Sequence, residues 1–332
     1  MPRSILLALV FCAASAAALP PAAAQTPLFT DNSELEILIE GPVQTVVRRA
    51  ARNTDPVDAT LSVTGHEPRW AIQLEPRGIS RRTGGICNFP PLRIDFGEGT
   101  RDTLFQGQNR LKVVTRCNNG ASFEQLTVLE YLAYRLYNEV TPVSFRVRPA
   151  RITYRDRRDE TQLNFLIEDV DDMARRNNRL VALDVMSGET RAAQLNPEAA
   201  ARYALFQFMI GNLDWDMVTG RSGQECCHNS RLLAATAETR ENLIPAPYDF
   251  DYSGFVNAPY ALAPESLPIR SVRQRYFRGY CRFNDQLPAA IAHFQSRQEA
   301  IFALIDGETR LAAPRRAAAR EFIEDFFRII AN

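Results

Sequence analysis

Lysine is almost absent from this chain of 332 residues: Lys112 is the single lysine among 39 basic residues, and the others are arginines. Codon bias in a GC-rich genome is the simpler interpretation of this excess of arginine. However, arginine carries its charge on a planar fork of donors and cannot always replace the compact ammonium of lysine at a phosphate site. Lys112 is therefore a candidate functional residue.

An excess of charge of either sign is also missing. The 39 basic residues balance 39 acidic ones, and the formal net charge is zero. The chain as a whole has no field that would draw it to nucleic acid or to an anionic membrane. We therefore expect no nucleic-acid partner, and any cationic site has to be local.

Long apolar runs are missing beyond the N-terminus. Arg3 precedes an apolar stretch over residues 5–18, and Ala22-Ala23-Ala24 before Gln25 offers a small-residue cleavage site. This pattern predicts a signal peptide over residues 1–24 and a periplasmic or secreted protein. No later stretch approaches the roughly 18 apolar residues of a membrane helix. We expect no integral membrane segment after signal cleavage.

Cysteine is sparse, and Cys12 is lost with the signal peptide. In an oxidising compartment the rest predict two disulfide bonds and one free thiol. We pair Cys87 with Cys117, because they flank two adjacent strands, and either Cys226 or Cys227 with Cys281. A zinc site at Cys226, Cys227 and His228 is the alternative, but adjacent cysteines lack the spacing that lets two thiolates face one ion.

The first half of the chain has the short alternating pattern of strands. Strands are predicted over residues 36–40, 59–63, 69–74, 92–96, 111–115, 144–147, 150–154 and 162–168. Helices are predicted from Ser122, with Gln125 completing a capping box, to Glu139, and over residues 197–210, 286–305 and 314–330. We predict an α+β fold with a β-rich N-terminal lobe over residues 25–168 and a mainly helical C-terminal lobe over residues 169–332.

Acidic residues follow the ends of several C-terminal elements. Asp214 comes after an apolar helix, Asn229 comes just before a strand, and Asp249 and Asp251 come just after one. Close carboxylates either repel or share a cation. We predict a divalent-metal site for phosphoryl transfer, with Asp214 orienting the attacking hydroxyl, Asn229 and Asp249 holding Mg²⁺ or Mn²⁺, and Asp251 assisting.

Alternative interpretations of the acidic residues remain open. The Asn-x-Asp pattern at Asp214 is also typical of a helix cap followed by a turn, because both side chains bond to nearby amides. Asp249 and Asp251 are compatible with a glycosidase carboxylate pair, although no aromatic sugar platform is evident nearby.

The N-terminal half offers cationic groups for a phosphate. The glycine-containing turn from Glu75 to Gly85 carries Arg77 and Gly78, with Arg81 as an alternative to Arg77, or it is a hairpin loop with solvated arginines. Lys112 lies in a predicted strand before the helix that carries Glu130. In a nucleotide site, a strand lysine fixed by a helix glutamate binds phosphate oxygens. Alternatively, Lys112 is a charged residue on an edge strand. Arg93 competes for the same role.

The chain resembles the CotH-like atypical kinases, a branch of the protein-kinase-like fold, and more loosely the HipA-type kinases. The resemblance extends over roughly residues 69–251. It rests on the motifs Arg77-Gly78-Ile79-Ser80, Pro91-Leu92-Arg93-Ile94-Asp95-Phe96, Gly211-Asn212-Leu213-Asp214, Asn229 and Asp249-Phe250-Asp251. It implies a bilobal kinase-like fold.

The resemblance also implies ATP as the nucleotide, Asp214 as the catalytic base, Asn229 and Asp249 as metal ligands, and Glu168 near the hinge. Two departures stand out. Arg93 occupies a position where the family usually carries lysine, and residues 220–227 lengthen the interval between Asp214 and Asn229.

These observations lead to three functional hypotheses. The first is an exported, ATP- and metal-dependent kinase-like transferase that modifies a hydroxyl-bearing acceptor, which we expect to be a protein. The second is a kinase-fold protein that binds nucleotide without catalysis, and the third is a metal-dependent hydrolase. A periplasm holds little ATP, so the first hypothesis needs an external source of nucleotide.

Overall fold

The computed structural model describes residues 26–83, 85–178, 180–186, 189–220 and 225–332. The predicted signal peptide, with Cys12, lies outside the described residues. So do Gly84 of the predicted phosphate loop and residues 221–224 of the lengthened interval.

Seven strands of the described chain form a closed barrel in the order β1-β2-β3-β4-β5-β7-β6. Strand β1 pairs in parallel with β6, and every other neighbouring pair is antiparallel. The strands are β1 (Leu35–Glu40), β2 (Val57–Val63), β3 (His66–Pro76), β4 (Leu92–Asp95), β5 (Arg110–Val114), β6 (Val147–Arg155) and β7 (Asp159–Ile167).

Alternation along the strands fills the barrel. In β3, Trp70, Ile72 and Leu74 are buried while the residues between them are more exposed, as a period of two requires. The Trp70 ring packs edge-on against Phe105, with ring centroids 4.9 Å apart. These side chains belong to a first apolar core that the strands enclose.

Strands β5, β7 and β6 are buried on both faces. The pair Val113 and Leu166 faces the barrel interior, whereas the next pair, Val114 and Phe165, belongs to a second apolar core. The long helix over residues 121–140 covers this outer face, with Tyr131 and Tyr134 against the Phe165 ring. The helical part of the chain therefore packs against the barrel wall formed by β5, β7 and β6.

The second core is mainly helical. The helices of the described chain are α1 (Val43–Arg49), α2 (Ser80–Thr83), α3 (Ala121–Val140), α4 (Val170–Arg176), α5 (Pro197–Ile210), α6 (Leu287–Asp306) and α7 (Ala313–Ile330), with short 3-10 turns at Pro27–Phe29, Ala192–Gln194 and Cys281–Gln286. Two small sheets join strands β8 (Val181–Ala182), β11 (Ser230–Ala234) and β12 (Ile244–Pro247), and strands β9 (Val185–Met186) and β10 (Glu225–Cys226).

The predicted bilobal protein-kinase-like fold is wrong: the strands close into a seven-stranded mixed barrel. Most strands lie where the sequence predicts them, but β1 pairs with both β2 and β6, which removes the free edge of an open sheet. Alternation within a strand carries no information on its neighbours. The two strands predicted over residues 144–154 are also one strand, β6. The division at residue 168 remains a prediction.

The helices agree more closely with the sequence. Helix α5 begins and ends where the pattern predicts, and Asn196 caps it by accepting the N–H of Ala199. The capping box at Ser122 is wrong, because α3 follows Gly120 and Gln125 instead bonds to the backbone of Arg310 and Ala312. In the described part of the chain, no helix has the length and apolar character needed to cross a membrane.

One disulfide prediction is confirmed and the other is wrong. Cys87 and Cys117 are bonded, with their Cα atoms 4.6 Å apart. Cys226 is bonded to its neighbour Cys227, and Cys281 is a free, exposed thiol. The prediction paired Cys281 with one of these two cysteines, and in the structure they bond to each other instead.

Removing the first disulfide lowers the stability of the fold. The bond joins residues 30 positions apart, and closing a loop of this size restricts the unfolded chain. We expect the double variant Cys87→Ala/Cys117→Ala to lose about 2–5 kcal/mol of unfolding free energy in urea titrations. Cys281→Ser is the matched control, and equal stability of the double variant and the control would contradict this assignment.

Candidate functional site

The loop after helix α5 turns sharply at Gly211. This residue has a left-handed φ of 62°, and its N–H donates to the carbonyls of Gln207 and Phe208, which ends the helix. A Cβ atom here would lie 3.1 Å from the Phe322 ring. Asn212 then accepts the N–H of Asp214, so the acidic loop is held by its own turn.

Two neighbouring residues hold the Asp214 side chain. His228 Nε2 lies 2.6 Å from Asp214 Oδ1. Asn229 Nδ2 donates to Asp214 Oδ2 at 3.0 Å and to the Asp214 carbonyl at 2.8 Å. Because the amide nitrogen of Asn229 faces Asp214, its Oδ1 faces the other way. This carbonyl oxygen is an atom type that hard cations accept as a ligand.

Asp249 follows β12 beside this pair. Tyr248 N–H donates to the Asn229 carbonyl at 3.0 Å, which ties the end of β12 to the start of β11. Asp249 has a left-handed φ of 66°, and its N–H donates to Tyr134 Oη at 2.9 Å. Its half-buried carboxylate has no hydrogen bond or ion pair with any residue of the described ranges.

A buried ion group lies next to Asp249. Arg81 Nη1 is 3.5 Å from Glu130 Oε2 and 3.9 Å from Asp251 Oδ2, and Arg81 Nη2 donates to the Thr115 carbonyl at 2.7 Å. Tyr260 Oη donates to Asp251 Oδ2 at 3.0 Å. The elements that meet here are α2, α3 and the loop after β12.

Burial and crowding of acids govern protonation in this group. Burial, followed by the charge of Asp249, raises the pKa of Asp251 to about 7. Burial, followed by the charge of Asp251, raises the pKa of Glu130 well above its usual value. Burial alone would lower the pKa of Arg81, but neighbouring Tyr260, Asp251 and Glu130 raise it, so Arg81 stays charged.

Cationic side chains lie on the barrel side of the acids. Lys112 rises from β5 with Nζ 4.5 Å from the centre of the Tyr248 ring. Burial, followed by the charges of Arg77, Arg231 and Arg93, lowers the pKa of Lys112 well below its usual value. Anions relieve such crowding of positive charge, so a phosphate is a suitable ligand here.

The other predicted phosphate residues have mixed surroundings. Arg93 forms an ion pair with Glu75 at 2.6 Å, on the exposed side of the barrel wall. The N–H of Arg77 donates to the Pro91 carbonyl. Gly78 has a φ of 74°, which favours glycine, and open space surrounds the position of a Cβ atom. Gly78 thus shapes the turn.

Glu168 belongs to a different contact group. Its carboxylate accepts from Arg176 at 2.7 Å and 2.9 Å and from the N–H of Arg146 at 2.9 Å. Burial, opposed by Arg176, raises the pKa of Glu168 to about 7. The structure places Glu168 at the end of β7 in a structural ion pair, apart from the contacts that join Asp214, Asn229, Arg81, Glu130 and Asp251.

The chemistry of the donors fits a hard divalent cation with a phosphate ligand. No three His, Cys, Asp or Glu side chains within the described ranges form a complete metal cage. Mg²⁺ needs no such cage, because it is commonly bound by one or two carboxylates together with substrate phosphates and water. The open carboxylate of Asp249 and Oδ1 of Asn229 meet that requirement, whereas Asp251 faces Arg81 and Tyr260.

Sequence reasoning missed two groups at this site. His228 was assigned only to an alternative zinc site, although its position directly before Asn229 was a signal that it would share that residue's surroundings. Arg81 was only an alternative to Arg77. Nothing in its short helix indicated burial against Glu130, because that contact joins positions 49 residues apart.

Comparison with protein-family models and with curated proteins finds no match for this chain. The resemblance to CotH-like kinases therefore remains a prediction, and function has to be argued from the site itself.

Removal of Arg81 tests the ion group. In Arg81→Ala, Glu130 and Asp251 lose their counter-charge inside the protein, which costs about 3–5 kcal/mol of unfolding free energy. Arg69→Ala, which breaks an exposed pair with Glu40, costs about 0–1 kcal/mol. Urea titrations compare the two variants, and equal losses would contradict the buried ion group.

We expect neutralisation of Asp249 to stabilise the protein. In Asp249→Asn one charge is removed beside Asp251 and Glu130, so we expect the melting temperature at pH 8 to rise by about 2–4 °C. Because the folded-state pKa of Asp251 is raised, stability is lost as the pH rises through about 7, and the gain is smaller at pH 5.

The matched control is Asp102→Asn, because Asp102 is exposed and also has a left-handed φ, of 57°. Its melting temperature should not change. We expect Mg²⁺ to raise the melting temperature of the wild type and of this control but not of Asp249→Asn. Equal stabilisation of all three proteins by Mg²⁺ would contradict the prediction that Asp249 binds a metal ion.

Proposed function

We propose that this protein is a divalent-metal-dependent phosphotransferase that uses ATP to modify a hydroxyl acceptor. The observation that carries the proposal is the half-buried carboxylate of Asp249, which has no partner in the described ranges and lies beside the Asn229–Asp214 pair. A carboxylate among other acids is stabilised by a cation, and the nearby cationic residues suit a phosphate-bearing ligand.

Asp214 is the residue that would contact the acceptor. With Asn229 on Oδ2 and His228 on Oδ1, the carboxylate has a fixed orientation. It would accept a hydrogen bond from the attacking hydroxyl and take its proton as the new bond to phosphorus forms.

Asn229 and Asp249 would hold Mg²⁺ or Mn²⁺. When bound, the metal ion supplies charge neutralisation on the phosphate oxygens. On the barrel side Arg77 would attract the phosphates. Their negative charge would favour the charged form of Lys112, whose pKa burial and the neighbouring arginines lower. Arg81 would keep Glu130 and Asp251 paired and thereby keep Asp249 in place. This proposal rests on side chains and not on a kinase-like fold.

A metal-dependent hydrolase is the second candidate. The contact of 2.6 Å between His228 and Asp214 supports it, because an imidazole fixed by a carboxylate is suited to activate water. In that reaction water takes the place of the hydroxyl acceptor, and the product is free phosphate.

Export remains part of the proposal. Two disulfide bonds in one chain suit an oxidising compartment, so they support a periplasmic or secreted location. The ATP would then come from outside the compartment or from a host.

The decisive experiment uses ATP labelled at either the α- or the γ-phosphate, with Mg²⁺ or Mn²⁺ and serine- and threonine-containing peptides of varied charge. We expect γ-label on a peptide, lowered about 10²–10⁴-fold in Asp214→Asn because the base is lost. Asp249→Asn should also lose transfer, and Asp102→Asn should retain it.

Each of the other outcomes contradicts the proposed phosphotransferase activity. Release of free phosphate without labelled peptide assigns the hydrolase, and α-label on the peptide assigns nucleotidyl transfer. Nucleotide that stabilises the protein against heat without any turnover assigns a binding protein. A lack of both nucleotide binding and turnover removes ATP from the proposal.

A further inference from the structure

The chain after Asp251 carries a local excess of positive charge. Between Glu265 and Asp285 there is no acidic residue, and five arginines fall within residues 270–282. We call residues 270–282 the basic segment. The stretch has no strand or α-helix. Glu321 and Asp325 of α7 lie near Arg273 and Arg275, so the exposed Arg270 and Arg282 carry the positive charge that the segment presents to solvent.

The basic segment is fixed against the loop that carries Asp214. Arg278 Nη1 donates to the carbonyls of Leu213 and Trp215, at 2.7 Å and 3.1 Å. Tyr280 Oη donates to Asp216 Oδ1 at 3.1 Å. These bonds to both sides of Asp214 place the segment beside the residue that would contact an acceptor hydroxyl.

Other residues of the segment anchor it to the helical core. The guanidinium groups of Arg273 and Arg275 lie over the Phe322 ring, 4.4 Å and 3.8 Å from its centre. Arg275 also donates to the carbonyl of Met209, near the end of α5, and to that of Phe322, in the middle of α7. The backbone of the segment is therefore held in place, which lowers the entropic cost of binding to it.

The remaining groups face solvent. Arg270 and Arg282 are exposed, and Tyr276 and Phe277 are 38% and 37% exposed. Leu262, just upstream, is 77% exposed. Three of the five large apolar side chains that are exposed in the described ranges thus lie between residues 262 and 277. Exposed apolar groups that are close along the chain, with charge between them, favour a binding surface.

We propose that the basic segment, with Leu262, binds an acidic, hydroxyl-bearing polypeptide and presents its hydroxyl to Asp214. Only the last part of this inference, the presentation of the hydroxyl to Asp214, rests on the proposed function. Arg270 and Arg282 complement Asp and Glu side chains, and Tyr276, Phe277 and Leu262 complement apolar side chains of the same peptide. A polypeptide offers acidic, apolar and hydroxyl groups together.

The test is a binding measurement without nucleotide. A fluorescein-labelled peptide rich in Asp and Glu, with serine and leucine, is titrated by fluorescence anisotropy in about 0.1 M salt, where the screening length is about 10 Å. We expect saturable binding that weakens at least about tenfold in Arg270→Glu/Arg282→Glu, because each reversal replaces attraction by repulsion.

Two comparisons make this result specific. The control Arg101→Glu/Arg157→Glu changes the same net charge at exposed arginines outside the basic segment, and it should bind as the wild type does. A peptide with Lys in place of every Asp and Glu should not bind. Unchanged melting temperatures and circular dichroism of both double variants verify folding.

Several results would overturn the proposal. An equal loss of peptide affinity in both double variants would show that binding depends on net charge and not on the basic segment. Tighter binding of a DNA oligonucleotide or of phosphatidylserine vesicles would assign a different polyanion. Equal binding of the acidic and lysine-containing peptides would exclude charge recognition.

Transfer assays separate this proposal from the proposed function. If the acidic peptide binds the basic segment and receives no phosphate, the result supports the docking surface and contradicts the phosphotransferase activity. If phosphate reaches acidic and basic peptides equally, the transferase stands and the docking surface fails.

Discussion

The buried charges of Arg81, Glu130 and Asp251 are the constraint on which the site depends. Charges removed from water need partners at short range, and here the partners come from a turn at the barrel, from helix α3 and from the loop after β12. Their pairing brings distant parts of the chain to one point. Asp249 lies two residues from Asp251, so the ion group also determines where the open carboxylate lies.

Stability and the proposed function make opposite demands on the Asp249 carboxylate. Its neighbours include the acids Asp251 and Glu130, whose raised pKa values express crowding, and the cations Arg81 and Lys112. Repulsion from Asp251 and Glu130 opposes the charge of this carboxylate. Retaining it is understandable if a cation occupies the space between Asp249 and Asn229 during function.

The loop that carries Asp214 joins the proposed chemistry to the proposed acceptor surface. His228 and Asn229 hold it from one side, and Arg278 and Tyr280 hold it from the other. Because both sets of contacts act on the same short loop, a rigid carboxylate and a rigid docking surface have a common structural origin. This arrangement suits a reaction in which the position of a hydroxyl matters more than the strength of its binding.

Local patterns in the sequence determined the positions of most strands, the extent of α5 and the bond between Cys87 and Cys117, because alternation, helical spacing and strand adjacency are short-range properties. They also indicated that Asp214 and Asn229 lie together. The tertiary structure decided the closed barrel, since parallel pairing of Leu35–Glu40 with residues 150–155 joins segments more than a hundred positions apart. It likewise decided the burial of Arg81 against Glu130 and the separate pairing of Glu168 with Arg176, because the partner of a charge depends on which surfaces the folded chain brings into contact.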